Sequence, residues 1–437
     1  MSPKVLLTNT TWWPCASRIA IALTGAKCSV AAVYPRQGHP LRKTSAVQQR
    51  FVYGALDPVS SILKAIDAWK PDIIVPCDDR AVQHLHEIFS SESGTAAGKI
   101  IERSLGSPAS YPVVLNRYAL IEIARQEGIL VPPTLLINSS GDLKLWGERH
   151  PLPWVLKTDG SWGGHGVRIA GAVKEAEGFV AAMNRPLSTA RAVKRLLVDR
   201  DAFWLRSWWK RSKSGVVAQA YVSGRPANCA VFCWQGKVLA GIAVEVVASQ
   251  GITGAATVVR VIKSPQMAVA AELLAGRLGL SGFFGLDFVI EEATGAAYLI
   301  EMNPRVTPLC HLQLGTGRNM VHALRAQLTG EPLEEAAPVT GNVQIAYYPQ
   351  AWHRGCDREL VDSSYNDIPW QDPVLSQELL KLPWPDRGML ARVVNHLRQN
   401  GLAQMRWLSA EARITTSLCD AEWSESTAPP AINGVKL

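Results

Sequence analysis

The residues whose types and spacing could do chemistry are concentrated between Gly282 and Arg305. Two apolar runs joined by a polar, glycine-containing turn predict a β-hairpin, with Asp287 on its first strand and Glu301 and Asn303 on its second. Glu301 and Asn303 share one face because side chains alternate along a strand. Two carboxylates and an amide oxygen are hard ligands that suit Mg²⁺ when phosphates also bind it. A solvated polar face is the alternative, but the apolar flanks argue for burial, and buried carboxylates need a counter-charge.

Upstream of this hairpin lie a lysine and a run of glycines. Trp154–Lys157 is a predicted strand that ends on the lysine, and Val167–Ile169 is the next predicted strand. Four glycines lie in the loop between them: Gly160, Gly163, Gly164 and Gly166. A glycine-rich loop between two strands predicts a hairpin flap, whereas the loop of a P-loop NTPase leads from a strand into a helix. The sequence shows no Ser–His–Asp or Cys–His set that would make the protein itself a nucleophile.

The first 110 residues alternate short β-rich runs with helical stretches, which predicts a parallel sheet with crossover helices. The first strand is not followed by G-x-G-x-x-G, so a dinucleotide fingerprint is absent. Ligands of such sheets lie beyond the carboxyl ends of the strands, which singles out Thr8–Thr11 and the group Cys77, Asp78 and Asp79. The two aspartates could bind substrate, or they could be the N-cap and a first-turn carboxylate of the following helix.

Composition excludes several classes of protein. A chain of 437 residues, 47% hydrophobic and 19% charged, predicts two or three globular domains. No apolar run is long enough to span a membrane, and Met1–Leu7 lacks the apolar core of a signal peptide, so we expect a cytoplasmic protein. The eight cysteines form no C-x-x-C pair and are expected to be buried free thiols. His84 and His86 would point to different faces of a helix, which argues against a metal pair.

The net charge of +8 is concentrated in one segment. Between Arg185 and Lys213 there are nine basic and two acidic residues, a net charge of +7. If Phe203–Lys213 is helical, tryptophans cluster on one face and basic residues form the opposite stripe. Such a helix could pack as core beneath a basic face, contact a membrane surface or partner, or face an anionic substrate or nucleic acid. The balance of +1 elsewhere gives no reason to propose a nucleic-acid partner.

Taken in order along the chain, these features resemble the ATP-grasp superfamily, whose members include biotin carboxylase, carbamoyl phosphate synthase and many carboxylate–amine ligases. The resemblance covers residues 1 to about 330. It implies an α/β and α+β protein that begins with a parallel-sheet, Rossmann-like pre-ATP-grasp domain over residues 1–110. An ATP-grasp domain of two α+β subdomains is expected over 111–335, with a lid at about 152–222, and a Trp-rich C-terminal extension over 336–437.

The resemblance also implies ATP and Mg²⁺, or Mn²⁺ in its place, as cofactors. Arg117, after Asn116, stands where the family usually has a lysine that touches the nucleotide phosphates. Lys157 matches the strand lysine that bridges the α- and β-phosphates. The flap over the triphosphate is matched by Gly163, Gly164 and Gly166.

The adenine hinge and the metal site are matched further along the chain. The segment with Gln219, Tyr221 and Val222 resembles the hinge whose backbone binds adenine, with Gln219 in place of the usual glutamate. The implied Mg²⁺ ligands and the arginine that steadies an acyl phosphate or oxyanion are Asp287, Glu301, Asn303 and Arg305.

The implied reaction is an ADP-forming ligation, in which ATP phosphorylates a substrate carboxylate and an amine or related nucleophile displaces the phosphate, forming a C–N bond. The expected partners are small-molecule carboxylate and amine substrates, and no nucleic-acid partner is expected. The protein could also form a homodimer. A biotin-carboxylase-like reaction is an alternative, disfavoured because Val306–His311 lacks the Q-V-E-H stretch that carries the bicarbonate chemistry of biotin carboxylase. Another alternative is a nucleotide-regulated binding protein that docks on a membrane or polyanion through residues 203–213. Cys310 and His311 are expected to be a packed thiol and a capping or solvated imidazole.

Overall fold

The structure of the protein, a computed structural model, describes residues 2–35, 38–158, 166–183, 215–251, 254–333, 337–352 and 357–381. All of them belong to one compact unit, residues 1–387. Several predicted features lie outside the described residues: Gly163 and Gly164 of the flap, the basic segment 185–213 with its Trp helix, and the tail beyond 381.

The N-terminal alternation of strands and helices is confirmed as a parallel sheet. Its strands are β1 (Lys4–Thr8), β2 (Ser29–Tyr34), β3 (Gln49–Val52) and β4 (Ile73–Pro76). In the described residues they lie in the order β3-β2-β1-β4 and all pair in parallel. Leu6 packs in the core on one face, while Val5 and Leu7 pack on the other, because alternate side chains leave a strand on opposite faces. Both faces are therefore apolar, as a buried parallel sheet requires.

Six helices of the described chain accompany this sheet and lead into the next part of the molecule. They are α1 (Cys15–Gly25), α2 (Pro58–Trp69), α3 (Asp79–Glu92), α4 (Ala96–Leu105), α5 (Tyr111–Val114) and α6 (Arg117–Gln126). Polar side chains cap the N-termini of α2 and α4: Asp57 accepts from the Ser60 backbone N–H, and Thr95 from that of Gly98. Short 3₁₀ turns lie at Pro40–Arg42 and Pro108–Ser110.

An antiparallel sheet of four described strands follows. It contains β5 (Thr134–Ile137), β6 (Trp154–Thr158), β7 (Val167–Ala170) and β8 (Val216–Ala220), in the order β5-β8-β6-β7. Helices α7 (Ser140–Arg149) and α8 (Val173–Met183) contribute to its apolar core. Because β6 and β7 pair antiparallel, the predicted hairpin at this point is confirmed.

The largest sheet holds the hairpin that carries the carboxylates. Its seven described strands are β9 (Gly224–Trp234), β10 (Lys237–Ser249), β11 (Ala256–Ile262), β12 (Gly282–Glu291), β13 (Ala297–Asn303), β14 (Gln344–Ala346) and β15 (Tyr365–Asn366). They are ordered β13-β12-β9-β10-β11-β14-β15. Since β14 pairs with β11, the expected domain boundary at 335 falls between strands of one sheet.

Helices cover both faces of this sheet. One face packs against α6 and α9 (Pro265–Leu278), and the other against α10 (Met320–Thr329) and the N-terminal sheet. A 3₁₀ turn at Gln350–Trp352 and the helices α11 (Arg358–Asp362) and α12 (Pro373–Leu380) complete the described chain. Phe232 and Leu7 belong to one continuous core. The carboxyl ends of the N-terminal strands are thereby held next to the segment after β13, where the backbone N–H of Val306 donates to the carbonyl of Pro76.

The described cysteines agree with the expectation of buried free thiols. Six are free and buried: Cys15, Cys28, Cys77, Cys229, Cys233 and Cys310. None of the helices in the described ranges combines the length and apolar character that a bilayer crossing demands.

Candidate active site

The hairpin of β12 and β13 brings the predicted metal ligands together. Asp287 lies opposite Glu301, and Gly285 lies opposite Asn303. The side-chain amide of Asn303 donates to Asp287 Oδ2 at 3.0 Å. The two carboxylates and the amide therefore form one group on the sheet, as the period-two spacing predicts.

A fourth polar residue, Asn228 on β9, was missed by the sequence analysis. It pairs in register with Asp287, and its Nδ2 donates to Asp287 Oδ1 at 2.6 Å. Each oxygen of Asp287 is thus held by one amide. The available signal was an asparagine inside the apolar run of β9, where a polar residue needs a partner.

A β-bulge positions the predicted phosphate-binding lysine. The pairing of β12 with β13 shifts between Asp287 and Phe288, which leaves Ile300 as the extra residue of β13. The carbonyl oxygen of Ile300 accepts a hydrogen bond from Lys157 Nζ at 3.0 Å. Lys157, at the end of β6, is thereby held beside the carboxylate group although it belongs to another sheet.

Arg117 closes the other side of the carboxylate group. It is the first residue of α6, and the Asn116 side chain caps that helix by accepting from the Ala119 backbone N–H at 3.0 Å. Its guanidinium donates to Glu301 Oε1 from Nη2 at 2.6 Å and from Nε at 3.2 Å, and also to the carbonyl of Thr158. Arg117 therefore lies beside Glu301, at the N-terminus of α6.

Arg305 connects this site with the N-terminal sheet. Its Nη2 donates to Asn303 Oδ1 and its Nε to Asp79 Oδ1, both at 3.0 Å. The guanidinium also lies over the Trp13 ring, 5.9 Å from the centroid. Gly285 permits the segment after Arg305 to approach β12, since a Cβ at Gly285 would lie 2.6 Å from Thr307 Cγ2.

The two aspartates after β4 have different roles in the structure. Asp78 is the N-cap of α3 and accepts from the Ala81 backbone N–H at 2.9 Å. It also accepts from Asn9 Nδ2 at 3.0 Å and from Thr10 Oγ1 at 2.8 Å, so it organises the ends of β1 and β4. Asp79 lies in the first turn of α3 and is the ion-pair partner of Arg305. Asp78 is therefore the N-cap residue, as one of the two alternatives from the sequence predicted.

The pKa values of the two carboxylates are shifted in opposite directions. Burial, together with the negative charge of Glu301, raises the pKa of Asp287. Burial also acts to raise the pKa of Glu301, but Arg117 and Lys157 outweigh it and lower that pKa below its usual value. Glu301 is thus the firmly ionised partner, and Asp287 is the one that a proton or a cation would stabilise.

The donor chemistry of this group fits Mg²⁺ held jointly with phosphates. Among the described residues no cluster of three or more His, Cys, Asp or Glu side chains is arranged to hold a metal. Asp287 and Glu301 would provide carboxylate oxygens, and Asn303 Oδ1 retains a second lone pair besides the one used by Arg305. Two carboxylates and one amide leave coordination positions for phosphate oxygens and water, which is the usual arrangement around Mg²⁺.

The predicted adenine hinge lies at the end of β8. Gln219 is buried between β5 and β6, and its Nε2 donates to Thr134 Oγ1 at 3.2 Å. Tyr221 and Val222 follow the strand, and the Tyr221 side chain is 45% exposed. At the base of the flap, the Thr158 backbone N–H donates to the Gly166 carbonyl at 3.0 Å. Gly166 is the flap glycine that the structure describes.

The expectation for His311 was wrong. Its side chain is 8% exposed and neither caps a helix nor faces solvent; instead Nε2 lies 2.7 Å from Asp367 Oδ2. Asp367 lies directly after β15, in the expected C-terminal extension beyond the range of the resemblance. Cys310 is a packed thiol as expected, and its Sγ accepts from the Thr307 backbone N–H at 3.2 Å.

Burial lowers the pKa of Lys157 to about 8, which predicts a pH dependence for nucleotide binding. Phosphates need the ammonium form, so the Kd for MgATP should be nearly constant up to pH 8 and then rise by about tenfold per pH unit. Isothermal titration calorimetry at pH 7, 8, 9 and 9.5 measures it. Lys157→Arg keeps its charge over this range and should remove the slope. A constant wild-type Kd up to pH 9.5 would contradict the assignment of Lys157 to the phosphates.

Comparison with known proteins agrees with this geometry. Residues 116–308 match the family model described as the ATP-grasp domain. This match identifies residues 116–308 as an ATP-grasp domain. No curated protein matches the sequence.

Three solved structures illustrate the shared fold. The biotin carboxylase domain of Hydrogenobacter thermophilus 2-oxoglutarate carboxylase, crystallised with MgADP, ADP and bicarbonate, has a TM-score of 0.54 and 16% identity, covering 77% of this chain and 72% of its own. L-amino acid ligase from Bacillus licheniformis has a TM-score of 0.54 and 16% identity, covering 77% and 79%. N5-carboxyaminoimidazole ribonucleotide synthetase from Thermus thermophilus has a TM-score of 0.54 and 17% identity, covering 76% and 80%.

Proposed function

We propose that this protein is an ADP-forming ligase that joins a small-molecule carboxylate to an amine through an acyl phosphate. One observation carries the proposal: two carboxylates and an amide converge on one hairpin face and are surrounded by Arg117, Lys157 and Arg305. Phosphoryl transfer needs positioning and charge stabilisation more than covalent chemistry from the protein, and this arrangement supplies both.

Each side chain has a role in the proposed reaction. Lys157 and Arg117 would neutralise the phosphates of ATP, and Gly166 belongs to the flap that would exclude water. Mg²⁺ held by Asp287, Glu301 and Asn303 would supply charge neutralisation at the transferred phosphoryl group. Arg305 would orient the substrate carboxylate and then stabilise the oxyanion that forms when the amine attacks the acyl phosphate.

An isotope experiment tests the acyl phosphate directly. The protein is first screened for ADP release with a panel of carboxylates, bicarbonate included, each combined with a panel of amines. A carboxylate that supports turnover is then labelled with ¹⁸O, and we expect one labelled oxygen in the released phosphate by ³¹P NMR. Asp287→Asn serves as the inactive control.

Other outcomes of the screen separate the alternatives. Release of AMP and pyrophosphate, or unlabelled phosphate, would contradict the proposal. Turnover that requires bicarbonate and no amine would instead favour the carboxylase alternative.

A further inference from the structure

A buried charged cluster is centred on Asp367, in the segment after β15. Arg18 of α1 donates from Nη2 to Asp367 Oδ1, and His311 Nε2 lies 2.7 Å from Asp367 Oδ2. The side chains of Arg18, His311 and Asp367 are all more than nine-tenths buried. Three separate segments of the chain therefore meet at one aspartate that the proposed phosphoryl transfer does not use.

The charge of Asp367 determines the tautomer of His311. Burial acts to raise the pKa of Asp367, but Arg18 and His311 outweigh it and hold that pKa below its usual value, so Asp367 is an acceptor only. Burial, supported by Arg18, outweighs Asp367 and lowers the pKa of His311, so the imidazole is neutral at pH 7. A neutral imidazole that donates from Nε2 to a carboxylate carries a lone pair on Nδ1. His311 Nδ1 is buried and has no hydrogen-bond partner among the described residues.

This cluster lines a cleft beside the candidate active site. The cleft is small, with room for about one water molecule, and its walls include Pro14, Cys15, Arg18, Pro308, His311 and Tyr347. Burial raises the pKa of Cys15 to about 12, and this thiol is within electrostatic reach of Arg305 as well as of Asp367 and Arg18. Cys15 therefore lies near both the cleft and Arg305, and it stays protonated, which excludes it as a nucleophile.

We propose that this cleft receives the amino group of the amine substrate, with His311 Nδ1 accepting a proton from the ammonium form and Asp367 acting as the positioning residue that holds the imidazole. The inference rests on the proposed ligase function and adds the site and the proton acceptor for its second substrate. Arg18 Nε, also buried without a partner among the described residues, could donate to an acceptor on the same molecule. These two groups together would recognise a primary amine with a carboxylate or carbonyl oxygen near its nitrogen.

The proposed step balances in protons and electrons. The ammonium group gives one proton to Nδ1, and Asp367 stabilises the resulting imidazolium. The free amine attacks the acyl carbon, the C–O bond to the phosphate breaks, and its electron pair leaves with the phosphate. The second nitrogen proton passes to the leaving phosphate, and the imidazolium returns its proton to solvent.

A pair of nucleophiles that differ in charge tests His311. Hydroxylamine is uncharged at neutral pH and needs no deprotonation, whereas an ordinary amine is an ammonium ion. With an active carboxylate from the screen, His311→Gln should lower amide formation at pH 7 by about 10²–10³-fold. It should leave hydroxamate formation from hydroxylamine within about threefold of wild type, since acyl phosphate formation does not need the base. The loss should shrink as pH approaches the pKa of the amine. His322→Gln, on α10 outside the cleft walls, is the matched control.

The tautomer can be measured without turnover. Protein labelled with ¹⁵N-histidine, with the His311 signal identified by its loss in His311→Gln, should show the Nε2–H tautomer from pH 6.5 to 8. The charged and titratable groups around this imidazole are Arg18 on α1, Asp367, the thiols of Cys15 and Cys310, and Tyr347. Asp367→Asn should lower kcat without raising the KM of the carboxylate. If that variant fails to fold because Arg18 loses its counter-charge, the wild-type tautomer still decides the question.

The experiments distinguish a failure of the proposed ligase function from a failure of the role given to His311. Wild-type protein that forms neither ADP nor hydroxamate with any carboxylate would overturn the ligase function, and this inference with it. Three results with active wild-type protein would overturn only the role of His311. The first is an Nδ1–H tautomer. The others are a His311→Gln variant that makes amide at the wild-type rate, or one that loses amide and hydroxamate formation equally.

Discussion

Asp287→Asn is expected to abolish turnover, lowering carboxylate-dependent ADP formation by about 10³-fold or more. Asp287 is the residue around which the candidate metal site is built, with one carboxylate oxygen held by Asn228 and the other by Asn303. An asparagine keeps the size of the side chain but loses the negative charge and one acceptor oxygen. The substitution should therefore weaken cation binding and leave the structure of the hairpin intact. The measurement is a coupled ADP assay with varied Mg²⁺.

The stability of the same variant should move in the opposite direction. Because folding raises the pKa of Asp287, the folded protein binds this proton more tightly than the unfolded chain does. The ionised carboxylate therefore costs stability at neutral pH, and the cost disappears as pH falls below the raised pKa. Asp287→Asn removes the repulsion with Glu301, so its thermal midpoint without metal should equal or exceed that of wild type.

Mg²⁺ separates these two effects. Mg²⁺ alone should raise the thermal midpoint of wild-type protein at pH 7 and should not change that of Asp287→Asn, since a ligand stabilises only the state that binds it. Glu292→Gln, an exposed carboxylate in the turn of the same hairpin, is the control and should behave as wild type. Equal Mg²⁺ shifts in wild type and Asp287→Asn, or a variant that retains turnover, would rule out the proposed metal site.

Arg305→Gln is expected to have the second largest effect, a fall in turnover of about 10²–10³-fold. The guanidinium donates to Asn303 on the hairpin and to Asp79 at the start of α3, so it joins the metal site to the N-terminal sheet. Glutamine removes the charge that would stabilise an oxyanion and cannot reach both partners. The concentration of Mg²⁺ needed for half-maximal activity should also rise, because Asn303 loses the donor that orients its amide oxygen.

The control for Arg305→Gln is Arg358→Gln, on the surface helix α11, where the arginine side chain is 84% exposed. It changes the net charge equally and should leave activity unchanged. Arg305→Lys should recover part of the turnover by restoring the charge without the fork of two donors. Full activity of Arg305→Gln with normal Mg²⁺ dependence would show that Arg305 has only a structural role.

Several features were predictable from the sequence because they depend on local geometry. The hairpin with Asp287, Glu301 and Asn303 follows from period-two spacing and a polar turn. The start of α6 follows from Asn116, whose side chain can cap the helix from that position. The hairpin of β6 and β7 follows from two apolar runs and the glycines between them. Each needs only neighbours a few residues apart.

Other features of the site depend on contacts that periodicity does not encode. Asn228 was missed because only the pairing of β9 with β12 brings it to Asp287. His311 was misjudged because its partner, Asp367, lies in a tail that shows no recognisable pattern. Whether Gln219, Tyr221 and Val222 bind adenine, and whether the flap glycines bind phosphates, stays a prediction.

The sequence by itself determined the candidate carboxylates, the cations available to them and the order of strands and helices along the chain. Only the tertiary structure decided how they combine. Arg117 and Glu301 are 184 residues apart, Arg305 and Asp79 are 226 apart, and Arg18 and Asp367 are 349 apart. Burial of apolar surface between the sheets brings these groups together. Each of these charges has a specific partner, because an unpaired charge in the interior would be too costly.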